Sequence, residues 1–343
     1  MKMLPLNHDV RKGEFRLSVN TEIPAIGITG VYGESGSGKT TLLRCIAGLE
    51  RSTGPSKLAV HKRRVGFVFQ EPQLFSHLSV RRNIEFGLRR NPDAVDKGDK
   101  KVDEVADMLG VGNILARSTS GLSGGEAQRV SIARVLCQAP KLILMDEPLS
   151  SLDKNRRDEI LPYLDRLHAE SAVPIIYVSH SIDEICRLSD HLIVLENGSI
   201  TAQGGLHETL TQIDPPPIGG RSAGAVLEAT LVRYDQNFDL TLFKFSGGEI
   251  WSPGRFDSPS VRLRISASDL SLSKTPAESS TILNILPATI ETMAPESAAT
   301  ELLRLRLGDD VLVARITRRS SQQLNLQAGD SVYAQIKSVT VRR

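Results

Sequence analysis

The stretch IGITGVYGESGSGKT, residues 26–40, is the strongest indicator of fold in this sequence. It starts as an apolar run, passes through a loop rich in glycine and serine, and ends where a helical pattern, GKTTLLRCIAGL, begins. Residues 33–40 match G-x-x-x-x-G-K-[ST] between a strand and a helix, which is the context that this pattern requires. Glycines allow backbone N–H groups to close around phosphate oxygens, and the helix N-terminus favours negative charge. The stretch therefore predicts a phosphate-binding loop, called the P-loop (residues 33–40) below, in an α/β domain.

The P-loop region supplies most of the candidate nucleotide-binding residues. Lys39 is expected to reach the β- and γ-phosphates, and the Thr40 hydroxyl is expected to bind Mg²⁺. The candidates in this region are Gly33, Glu34, Ser35, Gly36, Ser37, Gly38, Lys39, Thr40 and Thr41. The pattern is specific for phosphate binding but does not distinguish one class of nucleotide hydrolase from another.

Four further apolar runs follow the P-loop, with helical patterns between them. The runs are RVGFVFQ (64–70), KLILMDEP (141–148), PIIYVSH (174–180) and LIVLENG (192–198). Continuously apolar strands suit a sheet that is covered on both faces, and helices between such strands predict a mostly parallel sheet. The sequence thus predicts an α/β P-loop domain over residues 1–213.

Polar side chains end three of these strands: Gln70, the pair Asp146 and Glu147, and His180. Ligands of open α/β sheets bind beyond the carboxyl ends of the strands, so we expect these side chains to meet the P-loop there. Asp146, Gln70 and Thr40 are the candidate Mg²⁺ ligands. The candidate catalytic residues are Glu147 as the base for an attacking water, His180 at the γ-phosphate, and Gln70 at the metal or that water.

The segment LSGGEAQRV, residues 122–130, exposes backbone at the start of a helix. Ser123 and Glu126 have the spacing of a capping box, but Gly124 and Gly125 each weaken a helix by roughly 1 kcal/mol. Such glycines are typical of a helix start that an anion approaches closely. Because the P-loop already holds the chain's own phosphates, we expect these four residues to contact a nucleotide on a second copy. Two copies packed head to tail would hold two ATP molecules between them.

The pattern changes after residue 213. QIDPPPIGGRSAG contains three consecutive prolines and a glycine pair, so residues 214–224 are predicted to form a linker. Strict alternation in VRLRISA (261–267) and LRLRL (303–307) predicts half-buried antiparallel strands in a small all-β domain, residues 225–343. The arginines of these runs are expected to lie on a solvated face, with an anion-binding stripe as the alternative.

Composition excludes several classes of protein. The chain has 343 residues, of which 40% are hydrophobic and 24% charged, with a formal net charge of +2. This fits a globular protein of two domains, and the charge does not favour nucleic acid as a partner. Cys45, Cys137 and Cys186 do not form a disulfide pattern, which favours a reducing compartment. No run approaches the roughly 18 apolar residues that cross a bilayer, and no secretory signal is visible, so a membrane-spanning partner would be a separate subunit.

Taken together and in this order, the motifs resemble those of the ATP-binding cassette (ABC) family over about residues 15–213. The P-loop resembles its Walker A motif, and the counterparts of its signature, Walker B motif and D-loop are LSGGE (122–126), LILMDE (142–147) and SLD (151–153). Gln70 and His180 resemble its Q-loop glutamine and switch histidine. The resemblance implies ATP and Mg²⁺ as cofactors and adds Asp153 to the nucleotide-binding residues.

Two positions depart from the usual pattern of that family. Glu126 stands in the signature where glutamine is commoner. Phe15 is the nearest candidate for the aromatic ring that the family stacks on adenine.

A single cassette without fused membrane spans or a long coiled coil is similar to the motor subunits of bacterial importers. The resemblance implies a helical subdomain at about residues 71–138 that grips a coupling helix of a membrane permease. Phe75, Leu78 and Val80 are candidates for that apolar contact. The core of the subdomain itself is the alternative for each of them.

The end of the chain resembles the molybdate-binding (Mop) fold, with a Mop-like unit at about residues 280–343 of an OB/Mop-like domain. The segments that carry this similarity, closest to the tail of molybdate importer ATPases, are TILNILPATI (281–290), VLVARIT (311–317) and YAQIKSVTV (333–341). Lys337 and Ser338 are candidates to hold an oxyanion. Residues 281–284, TILN, lack the arginine that the family often has there. Anion binding and a purely structural or dimerising role both stay open.

The resemblance implies the ATP-hydrolysing subunit of a bacterial molybdate importer, peripheral to the cytoplasmic face of the inner membrane. ATP binding would close a homodimer and hydrolysis would reopen it. This cycle would drive separate permease subunits, to which a periplasmic molybdate-binding protein delivers the cargo. Tungstate and sulfate are alternative cargoes. A different class of function is an intracellular oxyanion sensor with the cassette as a scaffold. A nucleic-acid ATPase would need a basic face, which the net charge of +2 does not suggest.

Overall fold

The computed structural model of the protein describes residues 2–53, 60–89, 99–170, 172–218, 222–277 and 279–342. These residues form two compact units, of which the first ends at Gln203 and the second starts at Gly204. They are called the N-terminal unit and the C-terminal unit below. Each has its own hydrophobic core.

The N-terminal unit is built on one sheet of eight strands. The strands are β1 (Met3–Lys12), β2 (Phe15–Pro24), β3 (Ile28–Tyr32), β4 (Val65–Val68), β5 (Leu142–Asp146), β6 (Ile175–Val178), β7 (His191–Glu196) and β8 (Ser199–Gly205). Their order is β1-β2-β8-β7-β3-β6-β5-β4. β3 pairs in parallel with β6 and β7, and β5 pairs in parallel with β4 and β6. The prediction of a mostly parallel sheet from continuous apolar runs is therefore confirmed.

Helices follow most of the parallel strands. They are α1 (Lys39–Ala47), α2 (Val80–Leu88), α3 (Asp99–Met108), α4 (Gly124–Cys137), α5 (Lys154–Glu170) and α6 (Ile182–Leu188), with short 3₁₀ turns at Val60–Lys62, Gly112–Ile114 and Thr119–Gly121. α1 forms because Leu42, Leu43 and Ile46 recur at helical spacing and are buried, and it ends at Gly48, whose φ is 80°. α2 and α3 both pack on α4. Within the described ranges, the structure contains no helix that is both long and apolar enough to cross a membrane.

β1 and β2 form an antiparallel hairpin that the apolar runs do not predict. Buried and exposed residues alternate along β2: Leu17, Val19 and Ile23 are at most 1% exposed and Thr21 is 8% exposed, while Ser18, Asn20 and Glu22 face outwards. This alternation is the sequence signal that identifies such a strand. The hairpin is an antiparallel addition at the edge of the parallel sheet.

The C-terminal unit consists of two sheets of five strands each. The strands are β9 (Gly224–Asp235), β10 (Leu240–Phe245), β11 (Gly248–Pro253), β12 (Ser260–Ser266), β13 (Leu270–Ser273), β14 (Asn284–Pro295), β15 (Thr300–Leu307), β16 (Asp310–Thr317), β17 (Ser331–Ile336) and β18 (Thr340–Arg342). The orders are β11-β10-β9-β12-β18 and β13-β17-β14-β15-β16. Two short helices, α7 (Leu206–Leu210) and α8 (Arg318–Leu324), and a 3₁₀ turn at Ala267–Asp269 complete the unit. The predicted β-rich C-terminal domain is confirmed.

One core joins the two sheets because alternate residues of their strands point inwards. Leu227, Phe243 and Leu263 of the first sheet and Ile290 and Leu305 of the second belong to one buried cluster and are at most 1% exposed. Alternation of this kind lets each sheet keep its polar residues on the opposite face.

The arginines of the alternating strands have polar partners. Arg304 and Arg306 both donate to the carboxylate of Glu291, at 2.9 and 2.6 Å. Arg264 is only 7% exposed and donates to the carbonyl oxygen of Ser222, so the expectation that all these arginines lie on a solvated face is wrong for Arg264. The single Glu291 carboxylate compensates one of the two positive charges of Arg304 and Arg306 and orients both guanidinium groups.

The two compact units divide after Gln203, near the end of β8, and α7 packs on β9. The domain bounds 1–213 and 225–343 stay predictions from the sequence. His207 Nδ1 lies 2.7 Å from the carbonyl oxygen of Val226. Part of the predicted linker, residues 214–224, is also packed, since Ile218 and Ala223 are 5% and 3% exposed. Residues 219–221 lie outside the described residues. Proline-rich composition therefore marks an irregular segment of the C-terminal unit.

We expect Leu305→Ala to lower the free energy of unfolding of the C-terminal unit by about 2–5 kcal/mol, because it leaves a cavity at a position that is 0% exposed. Trp251, the only tryptophan of the chain, lies in β11 and reports this transition by its fluorescence in a urea titration. The matched control is Leu283→Ala, at a leucine that is 66% exposed, which should change the free energy of unfolding by less than about 0.5 kcal/mol. Equal effects of the two substitutions would contradict the assignment of the core.

Candidate nucleotide site

A cavity of about 420 Å³ lies at the carboxyl edge of the parallel sheet. It is lined by the P-loop after β3, by the residue two positions after β4 and by the residue after β5. The lining residues are Phe15, Ser35, Gly36, Gly38, Lys39, Thr40, Thr41, Gln70 and Glu147. The strand order thus brings together segments that are far apart in the sequence.

The P-loop takes a conformation that requires its glycines. Gly36 and Gly38 have φ angles of 85° and 104°, which side-chain-bearing residues rarely adopt. At Gly33 a Cβ atom would lie 2.2 Å from the carbonyl oxygen of Leu195, so only glycine fits there. A Cβ atom on Gly38 would lie 2.8 Å from Cζ of Phe15, which puts the Phe15 ring directly beside the loop.

Lys39 is the buried cation of the site. Its side chain is 5% exposed, and its ammonium donates to the carbonyl oxygens of Gly33 and Glu34 at 2.7 and 2.8 Å. Burial lowers the pKa of Lys39, while the nearby carboxylates of Glu147 and Asp146 raise it. The ammonium is therefore held over the loop by backbone oxygens and lies 4.0 Å from Oε1 of Glu147.

Thr40 and Asp146 form a hydrogen-bonded pair between α1 and the end of β5. The Thr40 hydroxyl donates to Oδ1 of Asp146 at 2.9 Å, and Asp146 is 7% exposed. Burial raises the pKa of Asp146, and the hydrogen bond from Thr40 opposes this shift. The structure thus holds two predicted metal ligands side by side, and the third, Gln70, lines the same cavity.

Glu147 and His180 form the second pair of the site. Nδ1 of His180 lies 2.9 Å from Oε2 of Glu147, and His180 is largely exposed. Glu147 has a φ of 45°, a left-handed conformation that costs a residue with a side chain roughly 1–2 kcal/mol. Two interactions of the Glu147 backbone hold it there: its N–H donates to the carbonyl oxygen of Val178, and its carbonyl oxygen accepts from the hydroxyl of Ser150. Strain of this kind at a cavity wall points to a functional role for the side chain.

Ser123–Glu126 form the N-terminal cap of α4. The Ser123 side chain accepts from the Glu126 backbone N–H at 3.2 Å, and the Glu126 carboxylate accepts from the Ser123 backbone N–H at 2.7 Å. This hydrogen bond, followed by other nearby donors, lowers the pKa of Glu126. Arg117 also pairs with Glu126, at 3.3 Å, so glutamate has a structural role at this position. Within the described part of the chain, none of these cap residues lines the cavity.

Gln128 and Arg134 were not among the predicted site residues. From α4, Gln128 Nε2 donates to the carbonyl oxygen of Phe69 at 3.3 Å, and Arg134 Nη1 donates to that of Gln73 at 2.6 Å. Both contacts hold the segment that contains Gln70. No local sequence pattern predicts these two hydrogen bonds, because they join the segment around Gln70 to a helix more than fifty residues later in the chain.

Val80 is 0% exposed, so the prediction that it supplies contact to a membrane subunit is wrong. It begins α2 and packs inside the subdomain. Phe75 and Leu78 are half-buried, and the Phe75 ring packs on Phe86 at 4.4 Å and below Arg134 at 5.2 Å.

Family models match two parts of the chain: ABC transporter at residues 17–150 and TOBE domain at residues 280–342. The molybdenum import ATP-binding protein ModC 1 of Azotobacter vinelandii is 44% identical over 347 residues, which covers 95% of this chain and 95% of that protein. The ModC protein of Thiobacillus denitrificans is 44% identical over 343 residues, which covers 95% and 94%. The chain belongs to the ABC transporter family.

Solved structures share the fold of this ABC cassette. CbiO1 of Clostridium perfringens, part of the ABC transporter complex CbiONQ, has a TM-score of 0.54 at 27% identity and covers 62% of this chain and 92% of that chain. An ATP-binding cassette in a dimeric post-hydrolysis state, bound to ADP and Pi, has a TM-score of 0.52 at 28% identity and covers 60% and 99%. The predicted fold class, a P-loop cassette followed by a β-rich domain, is confirmed.

Asp153, in the segment that resembles the D-loop of ABC proteins, caps α5. Its Oδ1 accepts from the backbone N–H of Arg156 at 3.0 Å, and its carboxylate is 61% exposed. Among the described lining residues of the cavity Asp153 does not occur. Its Oδ2 also lies 3.4 Å from Nε of Arg156.

In the TOBE domain, Asn284 of β14 pairs with Ile336, which directly precedes the oxyanion candidates Lys337 and Ser338. Asn284 is 7% exposed, and both ends of its amide bond the backbone of Trp251, at 2.8 and 2.9 Å. Its side-chain amide thus joins β14 to β11 by one accepted and one donated hydrogen bond, as two paired strands are joined by their backbones. Lys337 and Ser338 are exposed on the segment between β17 and β18.

We expect Asp146→Asn to raise the Tm of the nucleotide-free protein at pH 7.5 by roughly 2–4 °C, the shift that 1 kcal/mol produces in a domain of 150–250 residues. Since burial raises the pKa of Asp146, ionisation of this carboxyl disfavours the folded state, and asparagine removes that cost while still accepting from Thr40. The increase in Tm should become smaller as the pH falls and the Asp146 carboxyl of the wild-type protein becomes protonated. Asp153→Asn at the exposed cap is the control and should leave the Tm nearly unchanged. A lower Tm for Asp146→Asn in differential scanning calorimetry would contradict this account.

Proposed function

We propose that this chain is the ATP-hydrolysing subunit of an ABC importer for molybdate. One observation carries the proposal: Lys39, Thr40 and Glu147 line one cavity in a chain that is 44% identical, over 95% of its length, to a molybdenum import ATP-binding protein. Asp146 is hydrogen-bonded to Thr40, and His180 contacts Glu147. The cavity provides the chemistry for a triphosphate, and the relatives indicate the cargo.

The P-loop fits the phosphates of ATP. Ser37 is 5% exposed, and its hydroxyl oxygen has no hydrogen-bond partner among the described residues, which supports a ligand as its partner. Lys39 would exchange its carbonyl contacts for phosphate oxygens, and the backbone at Gly36 and Gly38 leaves room for close approach. Phe15, which lines the same cavity, would stack on the adenine ring.

The Thr40 hydroxyl, the Asp146 carboxylate and the Gln70 amide oxygen fit Mg²⁺. In the described residues no group of three or more His, Cys, Asp or Glu side chains could hold a metal by itself. That suits Mg²⁺, which takes a few protein oxygens and completes its shell with water and phosphate. When bound, the ion would neutralise charge on the β- and γ-phosphates.

Hydrolysis at this site needs a proton acceptor and groups that hold the γ-phosphate. Glu147 Oε would take a proton from the attacking water as its oxygen bonds the γ-phosphorus and the bond to the β-phosphate oxygen breaks, which leaves ADP and phosphate. His180, through its contact with Glu147, would orient the carboxylate and reach the γ-phosphate. Lys39 would stabilise the charge on the leaving phosphate oxygens.

We infer that ATP joins two copies of the chain. Ser123, Gly124, Gly125 and Glu126 would contact the nucleotide of a partner, with Asp153 beside them. The dimeric cassette bound to ADP and Pi among the similar structures supports this arrangement. At the cytoplasmic face of the inner membrane, closure and reopening of the dimer would drive the permease subunits. A periplasmic molybdate-binding protein would deliver molybdate to those subunits.

For the TOBE domain we favour a structural or dimerising role over oxyanion binding. The Asn284 amide is used by Trp251, and residues 281–284 contribute no arginine. No observation favours the alternative in which the whole chain is an oxyanion sensor with an inactive cassette.

We expect Glu147→Gln to lower the kcat for ATP by about 100-fold or more, because the proton acceptor is lost, while ATP-dependent dimerisation persists. Steady-state ATPase assays and size-exclusion chromatography with ATP measure the two properties. Lys39→Ala is the companion variant and should weaken nucleotide binding at least about tenfold, since a hydrogen bond to a charged group contributes roughly 1.5–3 kcal/mol. Normal turnover by Glu147→Gln would refute the assigned base.

The cargo is tested in proteoliposomes that contain the full chain with its permease and binding protein. We expect ATP-dependent uptake of molybdate, no uptake with Glu147→Gln in place of the wild-type subunit, and competition by tungstate because the two dianions are similar in size and charge. Uptake of sulfate or a sugar without uptake of molybdate would overturn the proposed cargo but not the ATPase.

A further inference from the structure

A buried carboxylate, Glu184, lies behind the switch histidine. It is 5% exposed and projects from α6, and its Oε2 accepts from the hydroxyls of Tyr177 and Ser179, each at 2.8 Å. Ser179 directly precedes His180, and its Oγ also accepts from the backbone N–H of Ser181 at 3.0 Å. Glu184 therefore fixes the backbone on both sides of His180.

The other oxygen of Glu184 faces the D-loop. Oε1 lies 3.4 Å from Nη1 of Arg157 on α5, and Nη2 of Arg157 donates to the carbonyl oxygen of Leu152 at 3.4 Å. Leu152 packs in turn against the signature segment, because a Cβ atom on Gly124 would lie only 3.1 Å from its Cδ2. A continuous line of contacts thus runs from His180 to Gly124.

Glu184 is the buried centre of this line, with an exposed fraction of 5%. A carboxylate in such a position is tolerated only when its charge and lone pairs are compensated, and here two hydroxyls and a guanidinium compensate it. Tyr177 is 1% exposed, and burial, followed by the charge of Glu184, raises the pKa of its hydroxyl well above the ordinary value. Tyr177 therefore stays protonated and donates to Glu184 at any physiological pH.

We propose that Glu184 and Arg157 are positioning residues that couple the two nucleotide sites of the dimer. The pair links the switch histidine, which serves the chain's own ATP, to the signature segment, which serves the ATP of the partner. This inference rests on the proposed ATPase and on its head-to-tail dimer. Neither residue touches the described cavity, so each acts through the loops that it holds.

The test substitutes Glu184→Gln in the full chain and measures ATPase rate against ATP concentration. Glutamine keeps the shape and can still accept from the hydroxyls, but it removes the charge that holds Arg157. We expect kcat to fall at least about tenfold, since a small misplacement of positioned groups costs up to roughly 100-fold. The KM for ATP should stay within about twofold, and the Hill coefficient should fall from about 2 towards 1 for two coupled sites.

A second ion pair between the same helices is the matched control. Arg187 on α6 pairs with Asp165 on α5 at 2.5 Å, with side chains that are 12% and 20% exposed. Its hydrogen bonds that the structure describes reach neither His180 nor Leu152. Asp165→Asn should lower the Tm at least as much as Glu184→Gln while kcat and the Hill coefficient stay within about twofold of wild type.

Arg157 variants keep the test decisive if Glu184→Gln does not fold. Arg157→Met should reproduce the loss of kcat and of cooperativity, and Arg157→Lys should restore part of both. Wild-type cooperativity in Glu184→Gln or Arg157→Met, or equal losses of kcat in Asp165→Asn, would overturn the coupling role. A wild-type chain without ATPase activity would instead defeat the proposed function, so the two failures are distinguishable.

Discussion

The burial of the Lys39 ammonium is the constraint on which the nucleotide site depends. A cation that is 5% exposed is tolerated only among polar partners, and the P-loop carbonyls together with the Glu147 carboxylate provide them. Glu147 can approach because its backbone takes a left-handed turn straight after β5. The loop conformation, the start of α1 and the turn after β5 therefore depend on one another, and a change in any of them would leave a buried charge without compensation.

α4 has a second function besides presenting the signature segment. Its first turn is capped by Ser123 and Glu126, while Gln128 and Arg134 further along hold the segment around Gln70. One rigid helix thus fixes both a surface that a partner would meet and a residue of the chain's own cavity. Together with the Glu184–Arg157 pair behind His180, this gives the cassette two rigid connections between its own site and the surface that would complete a neighbouring site.

The C-terminal unit is stabilised by apolar burial between two sheets, whereas the nucleotide site is built around a buried charge. Its stability comes from two sheets that share one apolar core, and Arg264, Arg304 and Arg306 on its strands are held by a backbone oxygen or by the Glu291 carboxylate. Asn284 is 7% exposed, and its amide links β11 to β14 through the backbone of Trp251. Burial and pairing of this kind favour a unit that supplies shape and contact surface over one that binds an anion.

The parallel sheet, the P-loop, the polar strand ends and the β-rich tail could be predicted before any coordinates, because each leaves a local signal: an apolar run, a glycine pattern or a period of two. The capping box of α4 is likewise local, since its partners are three residues apart. Three features emerged from the folded chain alone: Val80 and Arg264 are buried, the compact units divide after Gln203, and Glu184 meets Arg157. These features depend on how helices and strands distant in the chain pack, and side chains that meet across such a contact follow no period along the sequence.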